Sequence, residues 1–275
     1  MGSVPTPTST FEAVGLPSTE VVATPVSRPY RPVLEPDRPI RVGSPRPGLN
    51  RLDRILRRSF DILVSATALL FLTPLFAVVA ILVKTTSRGP ILYSQVRVGQ
   101  NRRIGDRRSS PTNHAGPRDR RASDRRASAA HGRPFEIYKF RTMVVNAEEY
   151  GPQWSSRNDP RITPIGRFLR LTRIDETPQF LNVLRGDMSL IGPRPERPYF
   201  VDQFAESIPH YRERLRVRPG ITGQAQVTLD YDSSIDDVKK KLEQDLDYVK
   251  KRSLLKDLMI VLRTIGVVIT GKGAA

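Results

Sequence analysis

One stretch of the sequence constrains this chain more than any other. Residues 62–83 contain no charged side chain over 22 consecutive positions. At about 1.5 Å per residue, a helix of this length reaches roughly 33 Å, which is enough to cross the hydrocarbon core of a bilayer, about 30 Å thick. The sequence therefore predicts a helix that enters a membrane.

Two features of this stretch argue against an ordinary spanning helix. Pro74 lies in its middle, where a proline removes a backbone donor and kinks a helix. Both flanks are basic, and the positive-inside tendency would keep both of them in the cytosol. A re-entrant hairpin over residues 51–84, broken at Thr73 and Pro74, satisfies both observations, and the Thr73 hydroxyl is suited to satisfy carbonyls freed by the proline. From the pattern alone, spanning and re-entrant helices are equally compatible with the residues.

The composition excludes several classes of protein. The chain has 275 residues and no cysteine, which excludes a disulfide scaffold, a zinc finger and a thiol nucleophile. The 45 Lys and Arg exceed the 28 Asp and Glu, so the formal net charge is +17. This charge implies an acidic partner: nucleic acid, anionic lipid or a phosphorylated substrate. Composition does not choose among the three.

Two segments lack the pattern of a folded domain. Residues 1–50 hold 10 of the 24 prolines and are expected to form a disordered, Pro-rich tail. Residues 101–133 carry three copies of Asp-Arg-Arg-x-Ser and are interpreted as a basic, low-complexity insertion. We expect a solvated loop there; if the insertion binds anything, its closeness to the membrane segment favours anionic lipid.

Residues 85–275 are predicted to form a small mixed α/β domain around that insertion. Residues 91–98 and 135–143 predict two strands paired as a hairpin. Ser234 is expected to begin an amphipathic helix. Residues 254–269 predict a last, strongly apolar helix, which either packs in the core or lies on the membrane surface.

The strongest candidate for chemistry is a pair of adjacent carboxylates, Asp175 and Glu176. They precede Thr177, a predicted N-cap, and Pro178, which suits the first turn of a helix that stops at Gly186. A helix N-terminus offers free amide donors and partial positive charge, so it favours phosphate. Carboxylates there can hold Mg²⁺, or one of them can attack phosphorus. Most adjacent carboxylates are only solvated charge, so this hypothesis depends on its surroundings.

The surrounding sequence is rich in arginine, as a phosphate site requires. Arg194 stands between two prolines in the run Gly192–Pro195, which limits backbone freedom and directs a guanidinium that binds phosphate oxygens in pairs. The same run is compatible with a plain rigid turn in which Arg194 pairs with Glu196. Residues 219–223 indicate another turn. The sequence has no Walker A and no GxGxxG pattern.

Three motifs together resemble those of bacterial sugar transferases, the monotopic phosphoglycosyl transferases of the undecaprenyl-phosphate type. They are YKFRTM at 138–143, LTRIDETPQFLNVLRGDMSLIGPRP at 171–195 and RPGITGQAQV at 218–227. The resemblance extends over residues 51–271 apart from the insertion. It implies an α/β catalytic domain on a re-entrant helix-break-helix, with interfacial amphipathic helices.

The resemblance also implies an activity. Such enzymes transfer a sugar 1-phosphate from a UDP-sugar to undecaprenyl phosphate at the cytoplasmic face of the bacterial inner membrane, releasing UMP and initiating an exopolysaccharide, capsule or other lipid-linked glycan. Asp175 would attack the β-phosphorus and form an aspartyl-phosphosugar, while Glu176 and Mg²⁺ would neutralise the diphosphate, with both carboxylates as metal ligands. Expected partners are the UDP-sugar, undecaprenyl phosphate and membrane lipids, without nucleic acid; a homodimer is compatible with the sequence.

The resemblance assigns further residues. Phosphate or substrate binding falls on Lys139, Arg170, Arg194, Asp245 and Asp257. The family's Ser-Pro break is Thr73-Pro74 here, and Arg58 with Asp61 matches its membrane-entry anchor. Residues 228–232 depart from the family pattern, so the sugar is not identified. The alternative from another class is a membrane-tethered basic scaffold that recruits anionic lipid or nucleic acid through residues 101–133.

Overall fold

The computed structural model describes residues 51–101, 132–149, 151, 159–229 and 234–270. The predicted tail, and the predicted insertion except for its ends, lie outside these described residues. The α-helices are α1 (Arg51–Thr86), α2 (Pro164–Leu171), α3 (Phe180–Arg185), α4 (Pro198–Ser207), α5 (Gln224–Thr228), α6 (Ile235–Lys251) and α7 (Leu254–Thr270). The strands are β1 (Leu92–Val98), β2 (Pro134–Phe140), β3 (Ser189–Ile191) and β4 (Gly220–Thr222), and two 3₁₀ helices span Ile174–Gln179 and Tyr211–Arg216.

The predicted membrane segment forms one continuous helix, α1, of 36 residues. By length and composition it could cross a membrane, and little of its apolar stretch is buried by the rest of the protein. The helix continues through Pro74, so the structure does not show the predicted break between two helices. Thr73 Oγ1 donates to Leu69 O at 2.7 Å. Because a helical Pro74 leaves Leu70 O without its usual donor, the hydroxyl bonds the neighbouring carbonyl and not the freed one.

The N-terminal end of α1 packs against the domain that follows it. Arg58 donates to Val183 O at 2.6 Å and to Leu184 O at 2.8 Å. These carbonyls belong to the last turn of α3, where a cation interacts favourably with the helix dipole. Asp61 accepts from Leu190 N at 2.9 Å. The two residues expected to anchor the membrane entry therefore attach α1 to α3 and β3.

The C-terminal end of α1 packs against the same domain. Val79, Val83, Phe140 and Leu169 form a buried apolar cluster. Arg141, which follows β2, donates to Ser87 O just beyond the helix at 2.7 Å. The middle of α1 is different, since Leu70 and Phe71 are 72% and 76% exposed. Both ends of the apolar helix thus contact one folded domain, and the part between them is left for another apolar environment.

The predicted hairpin is confirmed. Strands β1 and β2 pair antiparallel, with Tyr93 opposite Lys139 and Gln95 opposite Ile137. Because directly opposed side chains project from the same face of a sheet, these four side chains share one side. This face of the hairpin forms one wall of the candidate site.

A second strand pair was not predicted. Strands β3 and β4 run parallel, with Ser189 opposite Gly220 and Ile191 opposite Thr222. Of the two, β4 lies within residues 219–223, the segment interpreted from the sequence as a turn. The chain approaches itself so closely here that a Cβ atom added to Gly220 would overlap Gly192 N. The two glycines therefore permit the contact that fixes the Arg194 segment beside β4.

The last two helices begin where the sequence predicted. Ser234 caps α6 and accepts from Asp237 N at 3.2 Å. In α7, Asp257 and Ile260 are buried. The opposite face exposes a row of large apolar side chains: Leu255, Leu258, Leu262, Ile265 and Ile269. This row favours the surface alternative for α7 over complete core packing.

Two further apolar clusters form the core. One joins β2, α3, β3, α6 and α7. The other joins β1, α4, the second 3₁₀ helix and α6. Ile137 of the first cluster and Leu242 of the second both line the cavity that holds the candidate site.

Candidate active site

The adjacent carboxylates lie in the 3₁₀ helix Ile174–Gln179, which leads directly into α3. The prediction of Thr177 as an N-cap is wrong. The helical segment begins earlier, and the Thr177 hydroxyl donates back to Ile174 O at 2.7 Å within the turn instead of capping it. Arg173 precedes the segment in the left-handed conformation, with φ 58°. The predicted stop at Gly186 is confirmed, with φ 84°.

Two cations hold Glu176. Its Oε1 accepts from Lys139 Nζ and from Arg194 Nη2, each at 2.6 Å, and its Oε2 accepts from Arg194 Nη1 at 3.3 Å. Only 13% of the Glu176 side chain is exposed, so water screens these charges little. Burial alone would raise the pKa of Glu176, but Arg194 and Lys139 hold it well below its usual range. Glu176 is therefore ionised, and the two cations balance its negative charge.

Asp175 lies beside it, and none of the described cations forms an ion pair with its carboxylate. The residue is 7% exposed, and among the described residues its carboxylate makes no hydrogen bond and no ion pair. Burial, and then the charge of Glu176, raise the pKa of Asp175 to about 6 against the opposing charges of Lys139, Arg170 and Arg194. The ionised form keeps its lone pairs free for a phosphorus atom or a cation.

Both carboxylates line a cavity of about 470 Å³. Its charged wall includes Lys139, Arg170, Arg173 and Arg194, and its apolar wall includes Ile137, Phe140, Val144 and Phe200. Arg170 Nε donates to Thr142 Oγ1 at 3.0 Å, which fixes this guanidinium at the wall. The geometry thus places an available carboxylate, a neutralised carboxylate and several cations around one cavity, as binding of an anionic substrate requires.

The three predicted basic residues Lys139, Arg170 and Arg194 are brought to the dyad. The alternative in which Arg194 pairs with Glu196 is not observed, because Arg194 pairs with Glu176. Glu196 instead lies 3.6 Å from Arg97, on β1. The Gly192–Pro195 segment is therefore more than a rigid turn, since it places a guanidinium against the dyad.

The two acidic residues assigned to substrate binding are separated by the fold. Asp245 lines the cavity but forms an ion pair with Arg214 at 2.7 Å, and burial raises its pKa to about 6. Asp257 lies outside the cavity lining, where it pairs with Arg57 and accepts from Tyr248 O–H at 2.9 Å. Its position joins α1, α6 and α7, so the structure gives Asp257 a contact between helices and no contact with the site.

The remaining predicted residues, Thr73 and Pro74, are on α1 and not in the cavity lining. The sequence analysis missed Arg214 and Tyr211, which line the cavity. Arg214 Nη1 donates to Tyr211 O–H at 2.7 Å. The only sequence signal for this pair was its three-residue spacing. Arg212 and Arg216 lie in the same segment, so the sequence did not distinguish Arg214 from them.

The donor atoms fit Mg²⁺ in one particular way. Asp175 offers a free carboxylate oxygen, whereas Lys139 and Arg194 occupy Glu176. Within the ranges that the structure describes, no group of three or more His, Cys, Asp or Glu is arranged for a metal. This set fits a Mg²⁺ ion held by one carboxylate together with substrate phosphates and water. Glu176 would have to give up its contact with Lys139 or Arg194 before it could become a second ligand of Mg²⁺.

The sequence profile of the bacterial sugar transferases matches residues 52–105 and 122–271. The chain belongs to the bacterial sugar transferase family. The match covers the elements that build the cavity and leaves out residues 106–121, which lie in the predicted insertion.

Individual relatives of this bacterial sugar transferase are named for one reaction with different sugars. It is 43% identical over 219 residues to the UDP-N-acetylgalactosamine-undecaprenyl-phosphate N-acetylgalactosaminephosphotransferase of Aeromonas hydrophila, covering 80% of this chain and 45% of the relative. It is 33% identical over 219 residues to the UDP-glucose:undecaprenyl-phosphate glucose-1-phosphate transferase of Escherichia coli, covering 79% and 41%. The chain thus spans less than half the length of these two relatives.

A relative closer in length is the UDP-glucose:undecaprenyl-phosphate glucose-1-phosphate transferase of Caulobacter vibrioides. It is 36% identical over 239 residues, covering 86% of this chain and 77% of the relative. The names agree on undecaprenyl phosphate and a sugar phosphate and disagree on the sugar.

Proposed function

We propose that this chain transfers a sugar 1-phosphate from a UDP-sugar to undecaprenyl phosphate and releases UMP. The observation that carries the proposal is the contrast within the dyad. Glu176 is neutralised by Lys139 and Arg194, whereas Asp175 is buried, lines the same cavity and has no ion-pair partner in the part of the chain that the structure describes. The names of the relatives describe this class of reaction.

In the first step, an ionised Asp175 oxygen attacks the β-phosphorus of the UDP-sugar. An oxygen–phosphorus bond forms, and the bond from the β-phosphorus to the bridging oxygen breaks. UMP leaves with the bridging oxygen and its electron pair, and an aspartyl-phosphosugar remains. In the second step, a phosphate oxygen of undecaprenyl phosphate attacks the same phosphorus and releases the Asp175 carboxylate. The product is a lipid-linked diphosphosugar.

The basic wall of the cavity suits this chemistry. Phosphoryl transfer depends mainly on positioning and on stabilising the charge of the equatorial and leaving oxygens. Arg194 and Lys139 already face the dyad, and Arg170 is fixed nearby by Thr142. Asp175, together with diphosphate oxygens, would hold Mg²⁺, which would neutralise charge on the diphosphate when bound.

We extend the proposal to the membrane. The contact of both ends of α1 with one domain supports a re-entrant helix that leaves the bilayer on the side it entered, at the cytoplasmic face. The exposed apolar row of α7 would lie in the same interface. In this arrangement the cavity meets the headgroups, where a polyprenyl phosphate presents its charge, and its product would initiate a lipid-linked glycan.

The natural absence of cysteine allows a direct test of this topology. Single cysteines at the exposed Arg54 and Thr85, before and after the apolar stretch, would be labelled with a membrane-impermeant maleimide. We expect labelling of both in inside-out vesicles and of neither in spheroplasts. Labelling of one position in each preparation would establish a spanning helix.

The reaction is tested by incubating purified protein with undecaprenyl phosphate, Mg²⁺ and a panel of UDP-sugars while UMP is measured. We expect UMP release with one or a few sugars and, without the lipid, a phosphosugar adduct on the peptide containing Asp175, detected by mass spectrometry. UMP release without any adduct in the trapped enzyme would exclude the covalent route and favour direct transfer.

A further inference from the structure

Arginines from two other elements hold the backbone that carries Arg194. Arg214, in the second 3₁₀ helix, donates from Nη2 to Arg194 O at 3.1 Å. Arg97, on β1, donates from Nη1 to the next carbonyl, Pro195 O, at 3.0 Å. Pro195 adds a fixed φ angle at this point. The main chain behind the Arg194 guanidinium is thus fixed at two consecutive carbonyls.

Arg214 is itself held in a buried cluster. Its Nη1 donates to Tyr211 O–H at 2.7 Å, and its Nη2 lies 2.7 Å from Asp245 Oδ2. Arg214 is 7% exposed, and Tyr211 and Asp245 are each 2% exposed. A guanidinium this deeply buried needs a counter-charge, because an unpaired buried ion is strongly disfavoured. Asp245, on α6, supplies that charge and keeps Arg214 aimed at the Arg194 carbonyl.

These contacts form a continuous path from α6 to the dyad. Asp245 pairs with Arg214, Arg214 holds the backbone of Arg194, and the Arg194 side chain pairs with Glu176. The path also answers a difficulty in the role that resemblance assigns to Asp245. A carboxylate repels phosphate oxygens, so direct contact with a diphosphate is not its favourable use, whereas pairing with Arg214 is.

We propose that Asp245, acting through Arg214, is a positioning residue for Arg194 and so sets where the diphosphate of the donor binds. This role rests on the proposed function for the identity of the donor, and on the contacts above for the geometry. It differs from a purely structural role in one measurable way. A structural residue lowers stability whatever occupies position 194, whereas a positioning residue matters only while Arg194 can use the position.

A double-mutant cycle separates the two roles. We expect Asp245→Asn to lower kcat/KM for UMP release by about tenfold or more, because small misplacements of a positioning group are costly. In an Arg194→Lys background, the same change should cost less than about threefold, since residues that act through each other are not additive. Equal losses in both backgrounds, or no loss in the first, would overturn the proposal.

A matched control comes from the same 3₁₀ helix. Arg212 pairs with Asp202 at 3.4 Å, and neither residue lines the cavity. Asp202→Asn should leave kcat/KM unchanged in both backgrounds. If Asp245→Asn does not fold, Tyr211→Phe removes only a hydroxyl from Arg214 and should show the same dependence on Arg194, with a smaller loss; an equal loss in both backgrounds contradicts the proposal.

A binding measurement distinguishes failure of this inference from failure of the proposed reaction. The cycle is repeated on the Kd of UDP in the presence of Mg²⁺, by titration calorimetry. If the unmodified protein binds UDP but turns over no UDP-sugar, the proposed function fails, and the cycle on Kd still decides the role of Asp245. If the unmodified protein binds no UDP, both proposals are wrong.

Discussion

Two buried aspartates show how differently this molecule uses the same side chain. Asp257, in the junction cluster of Arg57, Tyr248 and Asp257, has a partner on each oxygen: Tyr248 on Oδ1 and Arg57 on Oδ2. Asp175, in the cavity, has none among the described residues. The two are about equally buried, at 8% and 7% exposure.

This difference in partners suggests that Asp257 serves the stability of the fold and Asp175 serves the reaction. A fully paired buried carboxylate contributes to structure only as long as its partners stay, because the loss of one partner leaves an uncompensated charge. An unpaired buried carboxylate costs stability whenever it is ionised, and it persists where its lone pairs are needed. The two residues should therefore respond to the same Asp→Asn change in opposite ways.

The largest effect on turnover is expected from Asp175→Asn. UMP release should fall by about a thousandfold or more, as for other enzymes that lose their nucleophile. The thermal unfolding midpoint in detergent at pH 7 should stay constant or rise, because the amide removes a charge that burial disfavours. A variant that loses activity only in proportion to its folded fraction would assign Asp175 to the structure instead.

Glu176→Gln should have the next largest effect. The change leaves Lys139 and Arg194 facing each other without the charge that separates them, so the positions of both cations are lost. We expect a loss of about a hundredfold in kcat/KM, the usual range for one group of an electrostatic site. The adduct on Asp175 should still form, only more slowly. Its complete absence would show that Glu176 is essential for the attack itself, which contradicts the supporting role given to it here.

The sequence predicted the position of the candidate site but not the different states of its two carboxylates. The adjacency of Asp175 and Glu176 within a specific motif predicted the dyad, and local patterns predicted the β1–β2 hairpin, the cap of α6 and the apolar helix α7. The distinction between the carboxylates was out of reach, because Glu176 is neutralised by Lys139 and Arg194, which lie 37 and 18 residues away.

The failures share the same physical cause. Strands β3 and β4 have three residues each, too few for a periodic signal, and depend on a contact between two glycines far apart in the chain. The sequence alone does not show that Asp245 and Asp257 have different roles, because each is an acidic residue within a helix. Only tertiary packing separates the aspartate paired with Arg214 from the one paired with Arg57.

Lowering the pH should have a smaller effect on kcat/KM than these substitutions. The pKa of Asp175 is raised to about 6 by burial and then by the charge of Glu176. Because the attacking form is the ionised one, kcat/KM should be constant above about pH 6 and fall about tenfold for each unit below it. Asp245 also has its pKa raised to about 6 by burial, so it could produce a similar limb. Persistence of the limb in Asp245→Asn would assign it to Asp175; its disappearance would assign it to Asp245.

The smallest effect on turnover, and the largest on folding, is expected from Asp257→Asn. The amide cannot neutralise Arg57, which lies in the interior with 13% of its side chain exposed. Breaking a buried pair in this way typically costs about 3–5 kcal/mol. We expect a markedly lower unfolding midpoint but an unchanged kcat per folded molecule, because the junction cluster lies outside the cavity lining. The measurement combines thermal unfolding with adduct titration, which counts competent sites. A fall in kcat per titrated site would mean that the packing of α1 against α7 sets the geometry of the cavity, and the division drawn here between a structural and a chemical aspartate would then fail.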